Sequence, residues 1–335
     1  MKSVVVTGPG RTDVVDVADP RPGPADVLVR MAACGICGSD AMYTAIGGIP
    51  PRAGRTPLGH EPAGRVVAVG AEVTGIAEGD HVVVDPMTAG MVGNGGAYGA
   101  LSEFLLVEDA RLGYNIGTVD PQVPFEVAAL TEPMAVARHA VNRTAPRPGD
   151  TVVVFGAGPI GLGAMISYKR LGAKSVVAVD ITPSRLETAL AVGADAVINS
   201  SVEDVHARLT EIHGGSSSAF GDPRPATDIY LDAAGAPAVI ETVLRTIKHG
   251  STLGIVAMHK EPVPINFGAL ITTEVTIVNA MGYPTEIFEV ADDISADWEP
   301  YSAVISDRIP FTQVQDALAK ASSPDAAGKV VVTFD

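Results

Sequence analysis

The sequence predicts an α/β protein made of two units, a small β-barrel-like unit and a six-stranded, doubly wound parallel sheet. Three observations carry this. The first 85 residues are rich in valine, short on helical spacing and cut by turn signals. From Thr151 onward, short apolar runs alternate with stretches of helical spacing, the pattern of βαβ units. A glycine-rich turn, GAGPIG, stands at the first strand-to-helix junction of that second region.

Taken in order, strands are expected at 3–7, 27–33, 64–69 and 81–84, separated by RPGPAD (21–26) and AEGD (77–80). PMTAGMVGNGGAYGA (86–100) holds five glycines and reads as a loop, with a strand after it at 102–107. The spacing changes near Val123. PFEVAALTEPMAVARHAVNR is apolar at helical intervals, with Pro133 as a break or first-turn residue. APRPGD (145–150) is a connector. Six strands follow at 151–155, 175–179, 196–199, 228–231, 252–257 and 275–279. Helices are expected at 160–171, 183–192, 202–212, 237–247 and 267–271. GGSSSAFGDPRPAT (214–227) reads as a polar surface connection. The alternation stops after Gly282, and a helix at 312–321 and a strand at 329–333 close the chain. The expected domains are 1–145 with 283–335, and 146–282.

At 335 residues the chain is too long for one ordinary core, and 47% hydrophobic residues supply material for two. Charged residues are only 19%, which points to surface buried in an oligomer. The formal net charge is −16, a field that repels phosphate backbones and anionic membranes, so neither nucleic acid nor membrane is an expected partner. MKSVVVTGPGRTD has too short an apolar run for a signal peptide, and no stretch reaches the length of a membrane span. A cytoplasmic protein is expected.

In TVVVFGAGPIGLG (151–163), Gly156, Gly158 and Gly161 follow an apolar strand and open a helix. Backbone N–H groups and the helix dipole there can face a pyrophosphate. Gly156 permits the tight turn, Gly158 lets the phosphate approach, and Gly161 lets helix and strand pack closely; Pro159 and Ile160 complete the cofactor-binding turn. Asp180 ends the second strand, 22 residues after Gly158, where a carboxylate accepts from the adenosine ribose hydroxyls and repels a 2′-phosphate. This favours NAD over NADP. Arg185, at the start of the next helix, is the residue that would reach a 2′-phosphate; an ion-paired or solvated role is its alternative.

The only cysteines are Cys34 and Cys37, in MAACGICGSD (31–40). Two cysteines make no secreted disulfide framework, and a zinc knuckle needs a second pair. A redox C-x-x-C pair fits the spacing, and the strand-like residues before it leave the context open. His60 and Glu61 lie in GHEPAGRVVAVGAEV (59–73). Each alone reads more readily as structural than as a ligand.

Together these stretches resemble the zinc-containing medium-chain dehydrogenase/reductase (alcohol dehydrogenase) family. GHEPAGRVVAVGAEV matches its zinc signature, GICGSD (35–40) its first zinc-ligand motif, and GAGPIG its NAD motif, in order and over essentially the whole chain. Glu132-Pro133 followed by His139-Ala140 is similar to the sorbitol, butanediol and threonine dehydrogenase branch. The resemblance implies a GroES-like catalytic domain, a Rossmann domain and chemistry in the cleft between them. It implies Cys37 and His60 as zinc ligands, Glu132 or Glu61 completing the set, Asp40 hydrogen-bonding from behind it, and Cys34 as a packed bystander. It further implies NAD-linked oxidation of an alcohol to a ketone, reversibly, with Ser39 accepting the hydroxyl proton.

Three departures matter. Relatives carry a relay histidine where this chain has Met42, which cannot carry a proton; Tyr43 or a water chain is the substitute, unless Tyr43 lines the substrate pocket or only packs. The 86–100 loop lacks the four structural-zinc cysteines, so one zinc is expected. Gly282 stands where sorbitol dehydrogenases have an arginine, before Tyr283, a residue that contacts substrate or packs. A small secondary alcohol or vicinal diol then fits better than a long polyol. The family also implies a homodimer or homotetramer through the strand at 275–279. A zinc-independent reductase of the same fold lacks the Cys-His-Glu set, and a non-catalytic dinucleotide-binding protein would not need Cys37 or Ser39.

Overall fold

The computed structural model describes every residue except Pro51, Ala53, Pro324, Asp325 and Asp335. The chain forms two compact units, Met1–Glu132 with Ile287–Asp335, and Pro133–Glu286. The first crossing falls inside the helix Thr131–Arg143.

The first unit is built on strands. Val27–Gly35 is its hub: it pairs antiparallel with Glu61–Val69, with Phe104–Val107 and with Lys329–Thr333. The seven-stranded sheet continues through His81–Val84 to Ile116–Thr118 on one side and ends at Ile305–Pro310 on the other. A three-stranded sheet holds Arg11–Asp16, Lys2–Gly8 and Thr56–Pro57. Val4, Val6, Val29, Met31, Leu58, Val82, Leu105 and Val332 are among the buried side chains of its core. The register sets the site: Gly35 lies opposite Glu61 on one side and opposite Val331 on the other.

The second unit confirms the doubly wound sheet. Six parallel strands run in the order Ala196–Asn199, Ser175–Asp180, Thr151–Phe155, Ile229–Asp232, Thr252–Ile255 and Thr276–Asn279. Strand order reverses between Thr151–Phe155 and Ile229–Asp232, the place where such sheets bind ligands beyond the strands' carboxyl ends. Val153, Val177, Ile198, Tyr230 and Leu253 are buried against Leu209, Ile240 and Val243 from the helices. The 214–227 stretch contains a short hairpin, Gly215–Ser217 with Pro223–Pro225, within the expected surface connection.

Candidate active site

Cys37 caps the helix Gly38–Ile46 in a capping box: the Asp40 carboxylate accepts the Cys37 N–H at 2.9 Å, while the Asp40 N–H faces the Cys37 side chain. The other oxygen of Asp40 accepts the Gly59 N–H at 3.2 Å and lies 3.5 Å from Nδ1 of His60. Asp40 is fully buried. One carboxylate thus ties the cysteine motif to the histidine motif.

Around it, Cys37, His60 and Glu61 each bring a donor atom within 4.8 Å of the other two. Ser39 Oγ sits 3.3 Å from His60 Nε2. Glu132 is buried in the first turn of the helix Thr131–Arg143, outside that group of three. Cys34 is fully buried, and burial pushes its thiol well above the ordinary range, which suits an inert packing role. Burial alone would lower the His60 pKa, but Asp40, with help from Cys37, raises it well above the usual value.

The group has a cationic neighbour that reasoning from the sequence missed. Lys329, in the last strand, is buried and donates to Glu61 Oε1 at 2.6 Å and to the Ile36 carbonyl at 3.2 Å. Burial opposes its charge, yet Glu61, then Cys37, raises its pKa above lysine's ordinary value. The only trace in the sequence is one lysine opening the apolar run KVVVT.

These residues fit a zinc ion on two grounds. Thiolate, imidazole and carboxylate are the zinc donors, and tetrahedral bonds of roughly 2.0–2.3 Å put donor atoms about 3–4 Å apart, within reach of the observed grouping. In addition, Glu61 Oε2 is buried without a hydrogen-bond partner, a costly arrangement in a site that binds nothing.

Tyr43 donates to Asn94 Oδ1 at 3.0 Å and has Ser39 within hydrogen-bonding reach; burial raises its pKa. Met42 beside it is exposed. Asn94 belongs to the 86–100 loop, which is fixed by close backbone packing: Gly93 lies against the Gly59 carbonyl, and the Ala100 N–H donates to the same carbonyl.

In the second unit, Gly156 adopts φ +92° and Gly158 caps the helix Pro159–Arg170, with Ile160 in its first turn. A Cβ on Gly161 would strike the Gly156 carbonyl. The Asp180 carboxylate accepts three backbone N–H groups, from Ala157 at 2.8 Å, Ile181 at 2.7 Å and Thr182 at 2.9 Å. Arg185 lies half-buried in Pro183–Ala191. Tyr283 is buried, after Gly282 at φ +66°. His139 pairs with Glu286 at 2.9 Å and His259 with Asp232 at 2.7 Å, partners the sequence had not named.

Among the described residues, no helix is long and apolar enough to cross a membrane. Residues 23–115 match the alcohol dehydrogenase GroES-like domain and residues 159–296 the zinc-binding dehydrogenase domain. The chain is 30% identical to a sorbitol dehydrogenase of Bacillus subtilis over 313 residues, covering 88% of this chain and 86% of that one. Among solved structures, 2R,3R-butanediol dehydrogenase from Bacillus subtilis superposes with a TM-score of 0.87 at 25% identity, over 100% of this chain and 99% of that one. A putative zinc-binding dehydrogenase from Sinorhizobium meliloti, bound to NADP, superposes with a TM-score of 0.81 at 26% identity, covering 99% of this chain and 98% of the other. The chain belongs to the zinc-containing medium-chain dehydrogenase/reductase family and is an oxidoreductase.

Proposed function

We propose that the protein is an NAD-dependent dehydrogenase with one catalytic zinc, converting a small secondary alcohol, vicinal diol or polyol to its ketone, reversibly. The observation that carries this is the convergence of Cys37, His60 and Glu61 beside Ser39, with buried Glu61 Oε2 lacking a hydrogen-bond partner. Cys37, His60 and Glu61 would hold the ion, with Glu132 as the further carboxylate. When bound, zinc supplies a Lewis acid for the alcohol oxygen and the nicotinamide a hydride acceptor.

Ser39, 3.3 Å from His60 Nε2, would take the hydroxyl proton. Tyr43, within reach of Ser39 and donating to Asn94, forms the outer end of that path in place of Met42. Asp40 fixes the His60 ring and the Cys37 backbone together. Gly156, Gly158, Pro159, Ile160 and Gly161 receive the pyrophosphate of the cofactor. Asp180, held by three backbone donors, presents fixed negative charge where a 2′-phosphate would sit, supporting NAD. Gly282, lacking a charged donor, supports a small substrate, and the sorbitol and butanediol dehydrogenases above support the substrate class. Tyr43 and Tyr283 are each a candidate substrate contact, on its own unit.

The outer edge of Thr276–Asn279 ends its sheet, near exposed Met281, and pairing with a second copy would make a dimer or tetramer. Light scattering showing only monomers would remove that part.

The test is metal removal with a panel of secondary alcohols and diols. NAD reduction should vanish on chelation, return with zinc and be absent in Cys37→Ala. Full activity in chelated protein would sink the reading.

A further inference from the structure

Lys329 is 4% exposed, and both of its acceptors border the candidate metal donors: the Ile36 carbonyl immediately precedes Cys37, and Glu61 is one of the three. A lysine buried this deeply is costly unless paired, so the ion pair with Glu61 belongs to the fold. The pair makes the two carboxylate oxygens unequal. Oε1 is occupied by the ammonium, whereas Oε2 has no partner and lies over Gly35, where no side chain intrudes. A metal ion can therefore take Oε2 without breaking the ion pair, whereas taking both oxygens would bring it against the ammonium.

Charge gives the pair a second consequence. Asp40 and Glu61 are fully buried beside Cys37, so the site concentrates negative groups away from solvent. Lys329 offsets them when no metal is present. With a metal bound, that charge is already balanced, and the ammonium and the metal repel each other across one carboxylate. A group that stabilises the metal-free form more than the loaded form must lower metal affinity by the same factor.

We infer that Lys329 is a positioning residue that holds Glu61 in a one-oxygen presentation toward the metal and, through its charge, keeps the metal-free site folded at the expense of metal affinity. This rests on Cys37, His60 and Glu61 being the metal site, as proposed above.

The test compares full-length wild type, Lys329→Met, Glu61→Gln and the double variant. Zinc dissociation constants are measured by chelator competition, and melting temperatures on stripped and zinc-loaded protein. Lys329→Met should lower the melting temperature of stripped protein more than that of loaded protein, and tighten zinc binding about tenfold. Glu61→Gln, which leaves the ammonium unpaired against the metal, should weaken zinc binding. The double variant buries neither charge and should recover about tenfold of that loss. Equal losses of stability in both forms, with zinc affinity unchanged or weaker in Lys329→Met, would overturn the inference and leave a packing role. Should Lys329→Met not fold, equal affinities for Glu61→Gln and the double variant would overturn it alone. Zinc binding insensitive to Cys37→Ala would instead overturn the metal site itself, and this inference with it.

Discussion

A Cβ on Gly35 would collide with the carboxylate of Glu61, which lies directly across the strand pair from it. The glycine is therefore part of the site, because it clears the space that Glu61 Oε2 occupies. In Gly35→Ala the carboxylate must turn away or the strands must part. Overpacking of this kind costs about 1–3 kcal/mol. The variant is expected to melt lower and to hold less than one zinc per chain under conditions where wild type is full. Metal analysis of the dialysed variant checks this; a full complement of zinc would show that Glu61 Oε2 is dispensable.

Ser39 Oγ stands 3.3 Å from His60 Nε2, close enough to the donors to receive a proton from a substrate oxygen there. Removing a general base typically costs 10²–10⁴-fold. Ser39→Ala should therefore lose at least about 10²-fold in kcat near neutral pH while keeping its zinc. Tyr43→Phe cuts the outer contact with Asn94 and should lose less, with the loss shrinking as pH rises and hydroxide takes over the proton. Steady-state kinetics across pH separate the two. An unchanged kcat in Ser39→Ala would place the proton path elsewhere.

The parallel sheet was legible because each strand is a short apolar run and each helix repeats at its own spacing. The helix expected at 160–171 is Pro159–Arg170, and that expected at 183–192 is Pro183–Ala191. Two missed strands, RTDVVD at Arg11–Asp16 and ISDRIP at Ile305–Pro310, are edge strands that carry charges, so their apolar alternation is faint. The helix Gly38–Ile46 opens on glycine and takes its start from Cys37 and Asp40, so the box that caps it reads in the sequence as a ligand motif or a turn rather than as a helix start. The helix Ile287–Ala296 does carry the helical spacing, in buried Ile287, Val290, Ala291 and Ile294, but it lies past the point where the alternation ends. At the site, Cys37, His60 and Glu61 could be picked out because local motifs frame them. Lys329 could not, since its partnership with Glu61 exists only through the pairing of Val27–Gly35 with both neighbouring strands.

Asp180 has both oxygens engaged by backbone N–H groups, which fixes its charge at the mouth of the glycine turn. Asp180→Ser removes that charge and part of the support for the Ala157 N–H. The NAD-to-NADP ratio of kcat/KM should fall by about tenfold or more, since one lost discriminating contact near 1.4 kcal/mol is a factor of ten. Most of the change should appear in KM. If the variant kept the wild-type ratio, another group would be excluding the 2′-phosphate.

His213 gives the second unit an acid-sensitive point outside the candidate site residues. It ends the helix Val205–His213, with Nδ1 2.8 Å from Thr227 Oγ1 and Nε2 buried without a partner. Burial pushes its pKa down to about 4, against the opposing pull of Asp228 and Asp195. The unfolded chain titrates near ~6.5. Above that pH both states are neutral and the residue contributes nothing to the pH dependence. Below it, the unfolded chain takes up a proton that the folded protein refuses, so stability falls until about pH 4 and then levels. Residual exposure of the ring makes the loss smaller than the full shift implies. His213→Gln keeps a hydrogen-bonding side chain but cannot titrate. Its melting temperature should fall less steeply than wild type between pH 6.5 and 4, the two curves converging in shape above pH 7. Parallel curves across that window would mean that His213 is protonated as readily in the folded protein as in the open chain.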